Sequence, residues 1–253
     1  MMPEPTYSQL IAVGLGPGDP ELVTMKGVRA IEAADLIFAP RSRADEASRA
    51  LRIAQPWIDP QRQPVIPLTI PMHKDPAQAA AAYRHIADEI GSRLSARAAQ
   101  HPQGVARGVY LLLGDPLLYG TFTTLRDELA AHYPSLVVVI IPGVTSFAAA
   151  AAQVGLPLSS GDDRIAILPA PETMTELRDL LAQFETVILM KVGSKLPQIV
   201  ATLAELRLLE NAVYAEHIGM PEELIVRDIG SLRDYQAPYL SLLIVRRLRE
   251  SQR

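Results

Sequence analysis

The sequence contains no cysteine, and this absence excludes disulfide bonds, thiolate metal sites and a cysteine nucleophile together. Its 5 histidines are scattered without the spacing of metal ligands, so we expect no metal in the active site. No apolar run reaches the length of a membrane span, and residues 1–9 lack the charged start and apolar core of a signal peptide. These absences predict a soluble, cytoplasmic protein.

Positive charge is scarce as well. The formal net charge of −4 argues against sequence-independent binding to nucleic acid, which needs a basic face. Basic residues are nevertheless concentrated between Arg41 and Arg107, where 10 Lys/Arg stand beside 6 Asp/Glu, against 14 and 22 elsewhere. A solvated helix face is the simpler explanation for Arg93 and Arg97. An anionic small-molecule substrate would fit the others, and the candidates near predicted strand ends and loops are Arg41, Arg43, Arg49, Arg52, His73 and Lys74.

A chain of 253 residues with 49% hydrophobic residues is comfortable for two domains. Five apolar segments alternate with helical ones up to Pro142 and predict a doubly wound parallel sheet, with its ligand crevice at the strands' carboxyl ends. Five more short apolar segments follow Asp163, and the close spacing of the last two predicts an antiparallel pair, hence a mixed sheet. We expect an N-terminal α/β domain over 1–142 and a C-terminal α/β domain over 143–253.

The most informative stretch is an apolar run over 109–113 that ends abruptly in Gly114. Asp115 is predicted to be a helix N-cap, with Pro116 at the first helical position. At such a strand-to-helix elbow, glycine lets the backbone approach a ligand while helix N–H groups and one carboxylate point into the crevice. Helix capping alone is an equally good explanation for one isolated elbow.

Two further elbows make a binding role more plausible. Residues 14–20 repeat the Gly-Asp-Pro sequence after the first strand, and residues 141–146 place Thr145 or Ser146 at the start of an alanine-rich helix. A dinucleotide-binding interpretation of the first elbow fails for two reasons. Asp19 replaces the third fingerprint glycine, and the second strand ends in Ala39-Pro40 rather than at an acid that could hold a ribose.

Four segments, in this order, resemble the tetrapyrrole methylases: Gly14-Leu15-Gly16-Pro17-Gly18-Asp19-Pro20, Leu113-Gly114-Asp115-Pro116-Leu117-Leu118-Tyr119-Gly120, Pro142-Gly143-Val144-Thr145-Ser146 and Met190-Lys191-Val192-Gly193. The resemblance extends over 10–245. Within the family, residues 71–75, 155–162 and 216–223 are similar to the precorrin-2 carbon-20 methyltransferase branch.

The resemblance implies two unlike αβα domains, one with a five-stranded parallel sheet and one with a five-stranded mixed sheet, and S-adenosylmethionine folded between them. It implies a homodimer. Carried over residue by residue, the cofactor contacts are Pro17, Leu113, Gly114, Asp115, Leu118, Tyr119, Thr145, Ser146, Met190 and Gly219.

The implied reaction is transfer of a methyl group from S-adenosylmethionine to carbon-20 of precorrin-2 in cobalamin biosynthesis, with S-adenosylhomocysteine and precorrin-3A as products. Related uroporphyrinogen methyltransferases carry an aspartate just after the second strand, where Pro40 and Arg41 stand here. The candidates for the base are therefore Asp115, Tyr119 and His73.

Other hypotheses stay open. Cobalt-factor II could replace the metal-free substrate, because a cobalt already inserted in the macrocycle needs no protein ligand. An enzyme of the same fold could methylate a protein or RNA, although the charge balance disfavours RNA. A non-catalytic tetrapyrrole carrier would bind the macrocycle without depending on Asp115.

Overall fold

The computed structural model describes residues 7–43, 47–70 and 76–247. The chain divides into two compact units, Met1–Thr145 and Ser146–Arg253. In the described part of the chain, no helix has the length and hydropathy required to cross a bilayer.

The first unit contains a five-stranded sheet in the order β3-β2-β4-β1-β5. Every neighbouring pair is parallel, so all five carboxyl ends lie at one edge, and the predicted parallel sheet is confirmed. The strands are β1 (Gln9–Gly14), β2 (Leu36–Arg41), β3 (Val65–Thr69), β4 (Arg107–Leu112) and β5 (Val137–Ile141).

Apolar cores cover both faces of this sheet, which is why its strands are hydrophobic on both sides. Tyr110 and Phe122 are packed in one core with ring centroids 5.6 Å apart, and Ile11 and Ile53 are buried in the other. The helices that supply these cores are α1 (Met25–Glu32), α2 (Arg49–Ala54), α3 (Pro76–Gln100) and α4 (Phe122–His132).

The two Gly-Asp-Pro sequences adopt different local structures. Asp19 caps a short 3-10 helix, because its carboxylate accepts a hydrogen bond of 2.8 Å from the Glu21 amide. Asp115 is not a helix N-cap, and the prediction that α4 starts at Pro116 was wrong. Tyr119 has φ +52°, outside the right-handed helical region, so α4 begins only at Phe122.

The second unit contains a mixed sheet in the order β6-β7-β10-β8-β9, as predicted. Strands β6 and β7 are parallel, whereas β10 is antiparallel to β7 and β8, and β9 is antiparallel to β8. The strands are β6 (Ile165–Pro169), β7 (Thr186–Met190), β8 (Ala212–Glu216), β9 (Leu224–Val226) and β10 (Ser241–Arg246), and the helices are α5 (Ser146–Gln153), α6 (Met174–Gln183) and α7 (Leu196–Glu205).

The predicted antiparallel pairing of the last two strands was wrong, because β8 lies between β9 and β10. The chain after β9 enters a short 3-10 helix, Ile229–Leu232. Ile229 and Leu232 are buried in the core beneath the sheet, with Tyr214 of β8 and Leu243 of β10. Because burial of these two side chains is favourable, the chain between β9 and β10 passes β8 and does not form a tight β9–β10 hairpin.

A buried ion pair anchors the start of the second unit to the end of β10. Arg246 is 1% exposed and Asp163 is 2% exposed, and an Arg246 Nη lies 2.9 Å from an Asp163 carboxylate oxygen. Arg246 also donates to the Leu158 carbonyl and to the Thr186 hydroxyl, at 2.8 and 2.9 Å. These bonds attach the connection after α5 to the sheet edge opposite the ends of β7 and β8.

Candidate functional site

The carboxyl edge of the first sheet is formed by backbone packed too closely for side chains. Gly14 ends β1, while Gly114 and Gly143 follow the ends of β4 and β5. A Cβ atom on Gly143 would lie 2.2 Å from the Gly114 carbonyl oxygen, and one on Gly14 would lie 2.6 Å from the Gly143 nitrogen. Only glycine fits such contacts between backbones. We call these three residues the glycine layer.

Gly16 and Gly114 add a second link at this edge. Both have left-handed φ values, +75° and +74°, and they exchange backbone hydrogen bonds of 2.8 and 3.4 Å. No atom lies within 4 Å of a Cβ built on Gly114, in contrast to the other members of the glycine layer. The backbone at Gly114 therefore borders open space, as close approach of a ligand requires.

Asp115 ties the loop after β4 to the loop after β5. One carboxylate oxygen accepts a hydrogen bond of 2.8 Å from the Leu117 amide, and the other accepts one of 3.1 Å from the Gly143 amide. The first bond closes an Asx-type turn and the second reaches the glycine layer. Asp115 thus fixes the geometry of the edge itself.

The remaining predicted cofactor contacts of the first unit follow the ends of β1, β4 and β5 in the chain. Pro17 is buried next to Gly16, and Leu113 and Leu118 are half-buried. Tyr119 is exposed and holds a left-handed backbone, which is a strained conformation for an aromatic residue. Thr145 is half-buried and is the last residue of the first unit.

In the second unit, the predicted contacts lie at or next to element ends. Ser146 begins α5, Met190 ends β7 and Gly219 lies in the loop after β8. The Gly219 amide donates to a Glu223 carboxylate oxygen at 2.6 Å, which closes that loop on itself. Strands β7 and β8 are each followed by a non-glycine residue with left-handed φ. These residues are Lys191, at +58°, and His217, at +51°.

The basic candidates are distributed along the chain after β2. Arg41 ends this strand, at the same sheet edge as the glycine layer, and its Nε donates to the Thr69 hydroxyl at 3.3 Å. Arg43 is exposed, and Arg49 and Arg52 lie three positions apart on the exposed side of α2. His73 and Lys74, like the predicted family segment 71–75, lie outside the described residues. Over 7–43, 47–70 and 76–247, the structure contains no cluster of three His, Asp or Glu side chains able to hold a metal.

Two features of these edges were missed by the sequence analysis. The close approach within the glycine layer joins Gly14 to positions a hundred or more residues further along the chain, and only the presence of glycine in each motif signalled it. Glu216 is 7% exposed at the end of β8, although its sequence context resembles a surface loop. The only local signal was Tyr214 two positions earlier, since alternate residues of a strand share a face.

Comparison with known proteins agrees with the family resemblance of the sequence motifs. The family model for tetrapyrrole (corrin/porphyrin) methylases matches residues 9–233. The chain is 35% identical to "Precorrin-2 C(20)-methyltransferase" of Sinorhizobium sp, over 94% of both chains. It is 30% identical to "Cobalt-precorrin-2 C(20)-methyltransferase" of Salmonella typhimurium, over 94% of this chain and 95% of the relative.

Among solved structures, the fold is similar to that of uroporphyrin-III C-methyl transferase from Thermus thermophilus complexed with S-adenyl homocysteine. The TM-score is 0.58 and the sequence identity 22%, over 94% of this chain and 97% of that one. At this identity the similarity concerns the fold.

Proposed function

Because this chain belongs to the tetrapyrrole methylase family, as its sequence motifs predicted, we propose that it transfers the methyl group of S-adenosylmethionine to carbon-20 of precorrin-2. The products would be precorrin-3A and S-adenosylhomocysteine, in cobalamin biosynthesis. The observation that carries the proposal is the 35% identity to a precorrin-2 C(20)-methyltransferase over 94% of both chains.

The residues at the first sheet edge fit a cofactor of this kind. The open space next to Gly114 and its left-handed backbone favour close approach of a polar ligand to the main chain. Leu113, Gly114 and Asp115 would hold the amino-acid part of the cofactor. Met190 would offer a soft apolar surface to the adenosyl group. The other proposed contacts are Pro17, Leu118, Tyr119, Thr145, Ser146 and Gly219.

When bound, S-adenosylmethionine supplies an electrophilic methyl group on a sulfonium sulfur. The nucleophile is an enamine-like carbon of the reduced tetrapyrrole, so the protein's own contribution is alignment and exclusion of water. Asp115 supports alignment, because it fixes the elbow after β4 to the glycine layer. The four arginines Arg41, Arg43, Arg49 and Arg52 would bind the carboxylates of the substrate, with His73 and Lys74 as further candidates.

A proton must leave carbon-20 after methyl transfer. Asp115, Tyr119 and His73 remain our candidates for the base. Both Asp115 oxygens already accept backbone hydrogen bonds, which favours a positioning role for this residue. Tyr119 is exposed close to the elbow and could accept the proton only after ionising.

The second candidate substrate is the cobalt-containing tetrapyrrole of the anaerobic route. The 30% identity to the Salmonella cobalt-precorrin-2 C(20)-methyltransferase over 94% of this chain favours it specifically. We also infer, from the family resemblance, a homodimer acting in the cytoplasm. Light scattering after gel filtration should give twice the chain mass, and a monomer would contradict the dimer.

The proposed function is tested by anaerobic turnover with methyl-labelled S-adenosylmethionine. Precorrin-2, cobalt-precorrin-2 and cobalt-factor II are offered separately, and NMR locates the new methyl group. Label at carbon-20 of precorrin-2 alone would support the proposal, and label on a cobalt compound alone would support the second candidate. Transfer to none of them, with S-adenosylhomocysteine still bound, would exclude these substrates.

A further inference from the structure

The carboxyl end of β8 buries a charged side chain that the proposed reaction does not use. Glu216 is the last residue of β8 and is 7% exposed. Removing a carboxylate from water is costly unless hydrogen bonds compensate for the lost solvation. The hydrogen-bond partners of Glu216 should therefore reveal why the charge is there.

Two tyrosine hydroxyls hold this carboxylate. Tyr214 donates to one oxygen from two positions earlier in β8, and Tyr235 donates to the other at 2.8 Å. Burial, and then the hydrogen bond with Glu216, raises the pKa of Tyr214. The hydrogen bond with Glu216 is the main cause that raises the pKa of Tyr235. Both hydroxyls thus remain protonated donors at neutral pH.

Tyr235 begins the segment that leads into β10, residues 235–240, which we call the β10 leader. At its end, the Leu240 carbonyl accepts a hydrogen bond of 3.0 Å from the His217 amide. The next carbonyl, that of Ser241, accepts one of 2.8 Å from the Lys191 amide. The chain at this point therefore bonds to both non-glycine residues that hold a left-handed backbone at the ends of β7 and β8.

Side chains strengthen the same connection. The Ser241 hydroxyl accepts a hydrogen bond of 3.2 Å from the Gly193 amide, and it donates to the Pro238 carbonyl at 2.6 Å. The Lys191 ammonium lies 5.3 Å from the ring centroid of Tyr239, within cation–π range. A left-handed backbone at lysine or histidine persists only where its surroundings impose it. Here the imposing contacts come from the β10 leader and Ser241.

We propose that Glu216 is a positioning residue for the S-adenosylmethionine site. By holding Tyr235 it fixes the β10 leader, and the leader, together with Ser241 at its end, holds the two turns next to Met190 and Gly219. The inference rests on the proposed function, because these two residues are among its cofactor contacts in the second unit. Glu216 acts through other residues and touches no reacting atom in this scheme.

The test measures cofactor binding in Tyr235→Phe and Glu216→Gln by calorimetry with S-adenosylhomocysteine. We expect each variant to weaken binding about tenfold at a temperature where circular dichroism shows it folded. The KM for S-adenosylmethionine should rise by a similar factor, while kcat and the KM for the tetrapyrrole stay within about twofold. A merely structural role would instead lower the thermal midpoint and leave the affinity of the folded protein unchanged.

The matched control is Tyr133→Phe in the first unit. Tyr133 also donates its hydroxyl to a carboxylate, that of Asp88, at 3.1 Å, and it is not in the proposed cofactor site. This variant should bind S-adenosylhomocysteine as the wild type does. The double variant Glu216→Gln/Tyr235→Phe should bind S-adenosylhomocysteine as well as the lower-affinity single variant does. Both substitutions break the same Glu216–Tyr235 connection, so their effects should not add.

The outcomes separate the inference from the proposed function. Wild-type protein that fails to bind S-adenosylhomocysteine would overturn both. Wild-type binding with unchanged affinity in folded Tyr235→Phe would overturn the positioning role alone. If Glu216→Gln does not fold, Tyr235→Phe decides the question, since it removes a single hydroxyl and keeps the ring.

Discussion

The strand ends of the two units show two different ways of holding loops in place. In the first unit, the loops after β1, β4 and β5 are held by close backbone contacts and by the Asp115 carboxylate, and there is no room for a Cβ atom at Gly14 or Gly143. In the second unit, the turns after β7 and β8 are held by the β10 leader and Ser241, and the leader is attached through Tyr235 to the buried Glu216 carboxylate. One edge depends on side chains being absent, and the other on particular side chains being present.

This difference decides which substitutions each edge can tolerate. A close backbone contact resists every enlargement, because the opposing atoms belong to the main chain and cannot rotate away. A side-chain network resists truncation, because each lost partner leaves a buried polar group without its hydrogen bond. The predictions below therefore add atoms to the glycine layer and remove or replace side chains elsewhere.

The largest loss of stability is expected from breaking the buried ion pair of the second unit. Asp163→Ala leaves the Arg246 guanidinium buried without its carboxylate and should lower the free energy of unfolding by about 3–5 kcal/mol. Urea denaturation measures this. The control is Glu89→Ala, which removes the half-buried partner of the exposed Arg93 and should cost less than about 0.5 kcal/mol. Equal losses in both variants would contradict the dependence on burial.

A smaller but still large loss is expected from adding one methyl group to the glycine layer. In Gly143→Ala the new Cβ would lie 2.2 Å from the Gly114 carbonyl oxygen, and relieving this overlap should cost about 3 kcal/mol. Gly114→Ala meets no atom within 4 Å and should cost only the left-handed penalty, about 1–2 kcal/mol.

The variants Gly143→Ala and Gly114→Ala also distinguish an effect on backbone packing from an effect on ligand binding. Gly114→Ala should weaken S-adenosylhomocysteine binding measured by calorimetry, because its methyl group would occupy the open space where we place the ligand. Gly143→Ala should lose more stability than Gly114→Ala. The reverse order of stability would contradict the close approach at the glycine layer.

A third prediction concerns Asp115, whose side chain links the loops after β4 and β5. Asp115→Ala removes the acceptor of the Leu117 and Gly143 amides and should cost about 1–2 kcal/mol of stability, with at least about tenfold loss of S-adenosylhomocysteine affinity. Asp19→Ala is the matched control, since the same Gly-Asp-Pro sequence there caps only a short 3-10 helix. It should change affinity less than about threefold, and equal losses would remove the special role of Asp115.

Much of the fold could be predicted because its signals are local. Each buried strand is a short apolar run, and the alternation of strands with helices predicts the parallel sheet of the first unit. The errors occurred where a distant contact decided a local structure. Asp115 has the sequence of a helix N-cap, yet one of its oxygens bonds to Gly143, 28 residues further along the chain. Similarly, β9 and β10 are close in sequence, but burial of Ile229 and Leu232 separates them.

The candidate site was predictable only in part. Motifs singled out Gly114 and Asp115 as candidates, because an apolar run that ends in Gly-Asp-Pro is a local pattern. The crowding of Gly14 against Gly143 joins strands that are distant in sequence, and periodicity carries no information about it. Glu216 was missed for the opposite reason. A glutamate before a glycine-containing loop is normally solvated, and only the fold places Tyr235 against its carboxylate.

The smallest effect on stability is expected when a glycine, the residue type that forms the edge of the first unit, is introduced into the turn after β8 in the second unit. His217→Gly gives the turn after β8 a residue that adopts φ +51° without strain, but glycine also gains freedom in the unfolded chain. These effects oppose each other, so the free energy of unfolding should change by less than about 1 kcal/mol. Arg207→Gly is the control, because Arg207 has φ +56° just after α7. Its replacement should change the free energy of unfolding by a similar amount. Only His217→Gly should weaken S-adenosylhomocysteine binding, since the turn near Gly219 would be held less firmly. Unchanged affinity in His217→Gly would mean that the hydrogen bonds of the β10 leader hold this turn whatever residue occupies it.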